Sequence, residues 1–266
     1  MVTIGRTARG RILLTGAAGG IGRAFFRFAR DDYQFRLADR VVITGEMMHV
    51  GDAREHEVIH LDIGDLTACQ RACEQIDIVV HLAADADPEA DLYDSLLDNN
   101  IKGTYNIFRA AKDQGCRRVI FASSAWVMGG YARDVQLAPE APLRPVNLYG
   151  VSKCFGEAVA SYFAQGEGLS SIVVRIGAYD DGREGNRLRT NPNVSELAAY
   201  VSARDLNQLL VRCIEASDIG FAIVHGISEN RFKRLDLTAT RELLGYAPQD
   251  DAFNVFRETL NEWLRD

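Results

Sequence analysis

The chain is poor in cysteine, proline and tryptophan, and it lacks any long apolar run. Its 266 residues include five cysteines, six prolines and two tryptophans. The odd number and irregular spacing of the cysteines predict free thiols, as in a reducing cytoplasm, rather than a disulfide framework or a zinc site. No segment approaches the ~20 apolar residues of a membrane-spanning helix, and the first eleven residues lack the apolar centre of a signal peptide. We therefore expect a cytoplasmic protein without a membrane partner.

Positive charge is also scarce. Lysine and arginine number 30 against 37 acidic residues, which gives a net charge of −7 and a pI near 5.3. This balance argues against a nucleic-acid-binding surface. The chain has five histidines, and His49, Asp52, His56 and His60 lie near one another in sequence. Their irregular spacing, in a segment typical of a surface loop, predicts no metal site.

Hydrophobic residues make up 47% of the chain, which is enough for the core of one large α/β unit. Short apolar strands alternate with amphipathic helices, and this order predicts a doubly wound parallel sheet. The predicted strands are 11–15, 35–39, 57–61, 77–82, 118–122 and 171–176, and two long helices are expected at 92–114 and 149–165. The alternation stops after Gly177. We expect a nucleotide-binding core at 1–177 and a small substrate-binding cap at 178–266, with 180–193 as an exposed loop or lid.

Three glycines, Gly16, Gly19 and Gly22, lie between the first predicted strand and the first predicted helix. Glycines let the backbone approach a pyrophosphate, and a helix N-terminus offers free N–H groups to it. Asp39 follows about 20 residues later at the end of the second strand, where a carboxylate binds ribose hydroxyls and repels a 2′-phosphate. The pattern therefore predicts NAD rather than NADP, although the adjacent Arg40 is able to accommodate a phosphate.

A phenol and an ammonium, those of Tyr149 and Lys153, are four residues apart in a predicted helix and so share one face. Tyrosine ordinarily ionises near pH ~10. A neighbouring lysine favours the phenolate, and lowering the pKa by ~3 requires roughly 4 kcal/mol from the local field. The pair therefore predicts a general base acting on an alcohol.

These elements are found in order along the chain, and together they resemble the extended short-chain dehydrogenase/reductase superfamily, the NAD-dependent epimerase/dehydratase group. The resemblance covers residues 11–177 and is carried by Thr15-Gly16-x-x-Gly19-x-x-Gly22, Asp39, Asp62, His81-Leu82-Ala83-Ala84, Asn100-x-x-Gly103-Thr104, Ser123-Ser124 and Tyr149-x-x-x-Lys153. More narrowly, the segments 144–157 and 174–177 are similar to those of uronate dehydrogenases and haloarchaeal NAD-dependent glucose-6-phosphate dehydrogenases. The expected fold is a Rossmann fold.

The resemblance implies a role for each matched residue. Tyr149 removes the hydroxyl proton during hydride transfer to NAD, and Lys153 binds the nicotinamide ribose and lowers the tyrosine pKa. Ser124 holds the reacting oxygen, and Asn100 links the site to solvent. Asp62 reaches the adenine, although a turn or helix-cap role fits this acid equally well. The remaining cofactor contacts are expected from Ala18, Gly20, Ile21, Arg40, Ile63, Leu82, Ala83, Ala84, Asn100 and Ile176.

The chain departs from uronate dehydrogenases at the expected substrate contacts. Ala125 and Trp126 replace the Asn-His pair that follows their catalytic serine, and Ala86 and Ala178 replace two of their serines. Trp126 either stacks on a substrate ring or fills the core. Arg183, Arg187 and Arg189 are the basic cluster expected near the pocket; they either grip a carboxylate or phosphate or lie in a solvated loop. Arg187 is the member that we assign to the substrate.

The resulting hypothesis is an NAD-dependent oxidoreductase that oxidises a secondary alcohol or hemiacetal of a sugar-like substrate. A nucleotide-sugar epimerase or dehydratase, which uses NAD transiently, is the alternative; such enzymes usually devote more chain to a second domain than the residues after 177 provide. A non-catalytic NAD-binding regulator would be expected to lack Tyr149 or Lys153. The resemblance also implies a homodimer formed through the two long helices.

Overall fold

Seven parallel strands form one sheet in this computed structural model, which describes residues 10–44, 56–182, 187–190 and 192–263. The strand order is β3-β2-β1-β4-β5-β6-β9, and every neighbouring pair is parallel. A second ladder joins β7 to β8, also in parallel. The strands are β1 (Arg11–Thr15), β2 (Gln34–Asp39), β3 (Glu57–His60), β4 (Ile78–His81), β5 (Arg118–Ser124), β6 (Ser170–Ile176), β7 (Ala178–Asp180), β8 (Tyr200–Ser202) and β9 (Phe221–Gly226).

Helices cover both faces of the sheet, as the predicted doubly wound order requires. The α- and π-helices of the described residues are α1 (Gly20–Ala29), α2 (Leu66–Cys73), α3 (Leu92–Lys102), α4 (Gly103–Asp113), α5 (Leu148–Glu167), α6 (Arg187–Thr190), α7 (Val194–Ala198), α8 (Ala203–Glu215), α9 (Thr238–Leu244), α10 (Ala252–Val255) and α11 (Arg257–Trp263). In β1, Ile12 and Leu14 face the layer that contains α1 and α8, whereas Leu13 faces the layer that contains α2, α4 and α5. A strand buried on both faces explains the continuous apolar runs of the sequence.

The long helix expected at 92–114 is two consecutive helices. The first, α3, has π-helical hydrogen bonds, and the N–H of Gly103 donates to the carbonyl of Asp98 five residues earlier. α4 then continues with α-helical bonds. A Cβ at Gly103 would lie 2.6 Å from the side chain of Ile63, so glycine lets the helix pack closely against the segment that follows β3.

The sheet continues past residue 177, because β9 pairs with β6 along its whole length. The seventh strand, β9, thus comes from the part of the chain that is expected to form a cap. The residues of that part that precede β8 leave the main sheet, and we call this segment, 178–199, the excursion. The burial of Asp180 differs from the prediction, which places this residue in an exposed loop. Its side chain is buried, and it accepts hydrogen bonds from the guanidinium of Arg189 at 2.7 and 2.9 Å.

Candidate active site

One large cleft opens at the carboxyl ends of the central strands, as expected for a sheet of this topology. It has a volume of about 1040 Å³. Its wall includes the glycine turn after β1, Asp39 after β2, Ser124 at the end of β5, and the Tyr149–Lys153 turn of α5. The structure therefore brings together groups that are more than 100 residues apart in sequence.

The glycine turn is shaped for a close approach of another group to its backbone. Gly16 has a φ of 70°, and a Cβ there would lie 2.7 Å from the backbone nitrogen of Ala83. A Cβ on Gly22 would lie 2.3 Å from the carbonyl oxygen of Gly16. The helix α1 begins directly after the turn, no side chain caps it, and its first residues line the cleft. Such a cradle fits the pyrophosphate of a dinucleotide.

Asp39 is anchored by backbone groups on both sides. Its Oδ2 accepts from the N–H of Ala18 at 2.9 Å, and its Oδ1 accepts from the N–H of Val41 at 3.0 Å. The carboxylate is therefore fixed beside the glycine turn, where a ribose would lie. The neighbouring Arg40 donates to the side chain of Asn99 at 3.3 Å. Both Asp39 and Arg40 line the cleft.

Asp62 has the turn role that the sequence allows, and its position in the cleft wall leaves the predicted adenine contact open. Its Oδ1 accepts from the N–H of Gly64 at 2.8 Å in a turn, and the residue also lines the cleft. The cap of α2 is a different acid, Asp65, which accepts from the N–H of Ala68. The other cofactor residues expected in the wall are all there: Ala18, Gly19, Gly20, Ile21, Ile63, Leu82, Ala83, Ala84 and Ile176.

Tyr149 and Lys153 lie on the first turns of α5. The helix starts where the Asn147 side chain caps it by accepting from the N–H of Gly150 at 2.7 Å. Lys153 is 4% exposed, and its Nζ donates to the carbonyl of Ala122 at 2.9 Å and lies 5.6 Å from the centre of the Tyr149 ring. Burial lowers the pKa of Lys153 to about 8.

The protonation of Tyr149 differs from the expectation. Burial raises the pKa of the phenol, the hydrogen bond with the Ser124 hydroxyl opposes this increase, and the charge of Asp85 adds to it. The expected lowering by Lys153 is not found. Burial is the largest of these effects on the Tyr149 pKa, and the residue is a neutral phenol near pH 7.

Ser124 is held by the end of β5 and by the turn that follows it. Its Oγ accepts from the backbone N–H of Trp126 at 3.3 Å. The preceding Ser123 donates to Glu157 of α5 at 2.6 Å, and Glu157 receives two hydrogen bonds from the buried guanidinium of Arg175 at 2.8 and 2.9 Å. This buried ion pair fixes α5 against β5 and β6, and so sets the distance between Ser124 and Tyr149.

Asn100 lies beside the cleft rather than in its lining. Its Oδ1 accepts from the N–H of Asp85 at 2.8 Å, and its Nδ2 donates to the Asp85 carbonyl and to the hydroxyl of Ser152, each at 2.9 Å. The Ser152 hydroxyl in turn donates to the carbonyl of Tyr149 at 2.7 Å. Both amide hydrogens are thus occupied, and in this structure Asn100 positions the loop after β4 and the helix of Tyr149.

The expected substrate residues Ala86, Ala125, Trp126 and Ala178 line the cleft beyond Tyr149. The Trp126 side chain is 41% exposed, which contradicts a purely core-filling role. Of the arginine cluster, Arg189 is paired with Asp180. Arg183 and the side chain of Arg187 lie outside what the structure describes.

Several residues of this end of the cleft were not predicted, chiefly Tyr131, Arg133, Tyr179 and Arg234. Tyr131, Arg133 and Arg234 come from irregular segments and Tyr179 comes from the short strand β7. None of them belongs to a sequence motif, so no local pattern identifies them. Across the described ranges no cluster of metal-ligating side chains is found. His49 and Asp52 lie outside those ranges, and His56 packs on the ring of Phe26. No helix in the part of the chain that the structure covers is long and apolar enough to cross a membrane.

Comparison with known proteins agrees with this geometry. The model of the NAD dependent epimerase/dehydratase family matches residues 12–211. An NAD-dependent glucose-6-phosphate dehydrogenase from Haloferax volcanii is 36% identical, and the match covers 94% of this chain and 98% of that protein. A uronate dehydrogenase from Pseudomonas putida is 32% identical over 91% of this chain and 85% of its own length.

Among solved structures, this chain is again similar to a uronate dehydrogenase. A uronate dehydrogenase variant from Agrobacterium tumefaciens, crystallised with NAD, superposes with a TM-score of 0.81 at 32% identity, covering 95% of this chain and 89% of that one. Epimerases are more distant: a putative UDP-glucose 4-epimerase from Methanocaldococcus jannaschii is 26% identical and matches 62% of this chain and 54% of its own length.

Proposed function

This chain belongs to the NAD dependent epimerase/dehydratase family, and we propose that it is an NAD-dependent dehydrogenase of a sugar-like substrate. In this proposal it oxidises a secondary alcohol or a hemiacetal to a ketone or a lactone. The observation that carries the proposal is the convergence of Ser124, Tyr149 and Lys153 on one cleft with the glycine turn and Asp39. Two relatives that match more than 90% of this chain are a dehydrogenase of a sugar phosphate and a dehydrogenase of a uronate, which supports the substrate class.

The chain's own groups divide the work of binding and proton transfer. The glycine turn and the start of α1 bind the pyrophosphate, and Asp39 binds the adenosine ribose. Lys153, which donates to the carbonyl of Ala122 and lies 5.6 Å from the Tyr149 ring, would bind the nicotinamide ribose. NAD, when bound, supplies the hydride acceptor and a positive charge in the nicotinamide ring.

Tyr149 and Ser124 act on the substrate hydroxyl. Ser124 holds the reacting oxygen by a hydrogen bond, and Tyr149 takes its proton as the C–H bond gives up a hydride. Because burial raises the pKa of the phenol, Tyr149 needs an added positive charge in the cleft to act as a base at neutral pH. Positioned proton transfer of this kind accelerates a reaction by ~10²–10⁴-fold.

The test is a screen for NADH formation. Purified protein and NAD would be mixed with free aldoses, uronates and sugar phosphates, and absorbance of NADH would be followed for the wild type and for Tyr149→Phe. We expect net NADH with at least one sugar and none with the variant, which should still bind NAD. An epimerase would instead interconvert nucleotide sugars without net NADH, so that result would replace the proposal with the alternative.

Three further features belong to this proposal. The cofactor-binding core is assigned to 1–177 and the substrate-binding cap to 178–266, with β9 as the cap's contribution to the sheet. A homodimer through the consecutive helices α3 and α4 and through α5 is supported by exposed apolar side chains on α3 and α5: Tyr93, Leu97, Leu148, Val151 and Tyr162. Light scattering tests the dimer, and a Leu97→Asp variant should be monomeric.

A cytoplasmic location is consistent with the five free cysteines.

A further inference from the structure

The loop that follows β5 forms one wall of the substrate end of the cleft. Tyr131 and Arg133 of this loop line the cleft, near Trp126. Arg133 is exposed, and within the described residues it makes no hydrogen bond or ion pair. An arginine without a partner in a cleft wall is available to a ligand.

A distant arginine holds this loop in place. The guanidinium of Arg234 donates to the carbonyl oxygens of Tyr131 at 3.0 Å, Val135 at 2.7 Å and Ala132. These three carbonyls lie on either side of Arg133 in sequence. The backbone of Arg234 adds two bonds, accepting from the N–H of Leu137 at 3.0 Å and donating to the carbonyl of Ala198 at 2.8 Å.

The loop is fixed at its other side as well. The Tyr131 hydroxyl donates to the carbonyl of Pro142 at 2.9 Å, and the guanidinium of Arg144 lies 4.4 Å from the centre of the Tyr131 ring. With both sides held, the backbone at Arg133 is set before a ligand arrives. Less conformational entropy is then lost on binding than for an arginine in an unrestrained loop.

The other cations of the cleft wall are already engaged. Arg40 donates to Asn99 at the adenosine end, Lys153 donates to Ala122, and Arg234 is occupied by the loop carbonyls. Among the residues that line the cleft in the described ranges, Arg133 is therefore the cation without a protein partner. A guanidinium binds carboxylate and phosphate oxygens through two parallel hydrogen bonds.

We propose that Arg133 determines substrate specificity by binding an anionic substituent of the sugar, and that Arg234 is the positioning residue that presents it. This inference rests on the proposed dehydrogenase function. The substituent that Arg133 would bind is a carboxylate or a phosphate of the sugar, away from the carbon that is oxidised.

The experiment compares three sugars that differ in this substituent: glucose, glucuronate and glucose 6-phosphate. NADH formation at saturating NAD would be measured for the wild type, Arg133→Gln, Arg133→Lys and Arg212→Gln. Arg212 is an exposed arginine of α8 outside the cleft lining, so its variant controls for the change in net charge. Carboxylate and phosphate recognition are distinguished by which sugar the wild type prefers.

We expect Arg133→Gln to lower kcat/KM for the preferred anionic sugar by about 10- to 100-fold through KM, the loss typical of a charged hydrogen bond. Turnover of glucose and the KM for NAD should not change, Arg133→Lys should restore part of the activity, and Arg212→Gln should match the wild type. Arg234→Met should raise the KM for the anionic sugar while leaving kcat and the KM for NAD unchanged. If Arg234→Met does not fold, the Arg133 variants decide the question alone.

An equal effect of Arg133→Gln on neutral and anionic sugars, or no effect, overturns the inference. A wild type that forms no NADH from any sugar contradicts the dehydrogenase function itself. In that case calorimetric titration of glucose 6-phosphate and glucuronate into the NAD-saturated protein decides the anion site. Binding that weakens in Arg133→Gln supports the site, whereas absent or unchanged binding rejects it.

Discussion

Lys153 should make the protein less stable at neutral pH, although the proposed reaction requires it. The side chain is buried, and its pKa falls from 10.5 to about 8 because burial disfavours the ammonium. At ~1.4 kcal/mol for each tenfold change in proton affinity, this fall corresponds to about 3 kcal/mol of lost stability below pH 8. Lys153→Met removes the charge and keeps the length, but it leaves the carbonyl of Ala122 without its donor, which costs about 1 kcal/mol.

The expected net result for Lys153→Met is a gain of about 2 kcal/mol in the free energy of unfolding at pH 7, together with loss of turnover. The sign of this change in the free energy of unfolding depends on pH. Below pH 8 the lysine is charged in both states, and the folded state carries the full penalty. Above about pH 10.5 it is neutral in both states, so the advantage of the variant should decline between these values and end as a loss of about 1 kcal/mol, the cost of the missing hydrogen bond to Ala122.

Urea unfolding followed by circular dichroism, without NAD and at several pH values between 7 and 10.5, measures this difference. Lys112→Met is a suitable control, because Lys112 also donates to a backbone carbonyl, that of Glu167, but is only half-buried. A Lys153→Met variant that is no more stable than the wild type at pH 7, or a gain that does not change with pH, would refute the reasoning.

Three other changes address the cofactor, the chemistry and the core. Tyr149→Phe should lower kcat by ~10²–10⁴-fold with unchanged NAD affinity in a fluorescence titration, and retained turnover would remove Tyr149 from the mechanism. Asp39→Ala should narrow the preference for NAD over NADP in kcat/KM, so an unchanged ratio would contradict the ribose contact. Arg175→Met should destabilise the fold by about 3–5 kcal/mol in urea unfolding because it leaves Glu157 buried without its partner, whereas the double variant Arg175→Met/Glu157→Leu should recover most of that loss. Additive losses in the double variant would show that the ion pair itself is not the cause.

The parts of the site that the sequence predicts are those built from short segments. The turn at Gly16 and the Tyr149–Lys153 pair depend on residues within one turn of each other, and the carboxyl ends of parallel strands bring such segments to one edge. That is why the cleft wall contains nearly all of the expected cofactor residues. The strand positions were predictable for the same reason, since each apolar run is local.

The features that the sequence does not predict depend on burial or on contacts between residues that are far apart in the chain. The hydrogen bonds of Arg234 join residues about 100 positions apart and have no motif. The raised pKa of Tyr149 follows from the depth of the site, which helical spacing cannot convey. Asn100 lies in the π-helical α3, and the sequence pattern predicts an ordinary helix there.

The excursion between β6 and β8 leaves and returns at nearly the same place. The N–H of Ala178 donates to the carbonyl of Ala199 at 2.8 Å, and that of Gly177 donates to the carbonyl of Gly226 at 3.0 Å. Residues 178–199 are thus an insert whose two ends share one backbone junction, whereas the glycine turn and Asp39 lie at the ends of β1 and β2. Grafting this insert from a relative would exchange substrate-facing groups without rebuilding the dinucleotide end, which makes it the natural module for engineering new sugar preferences.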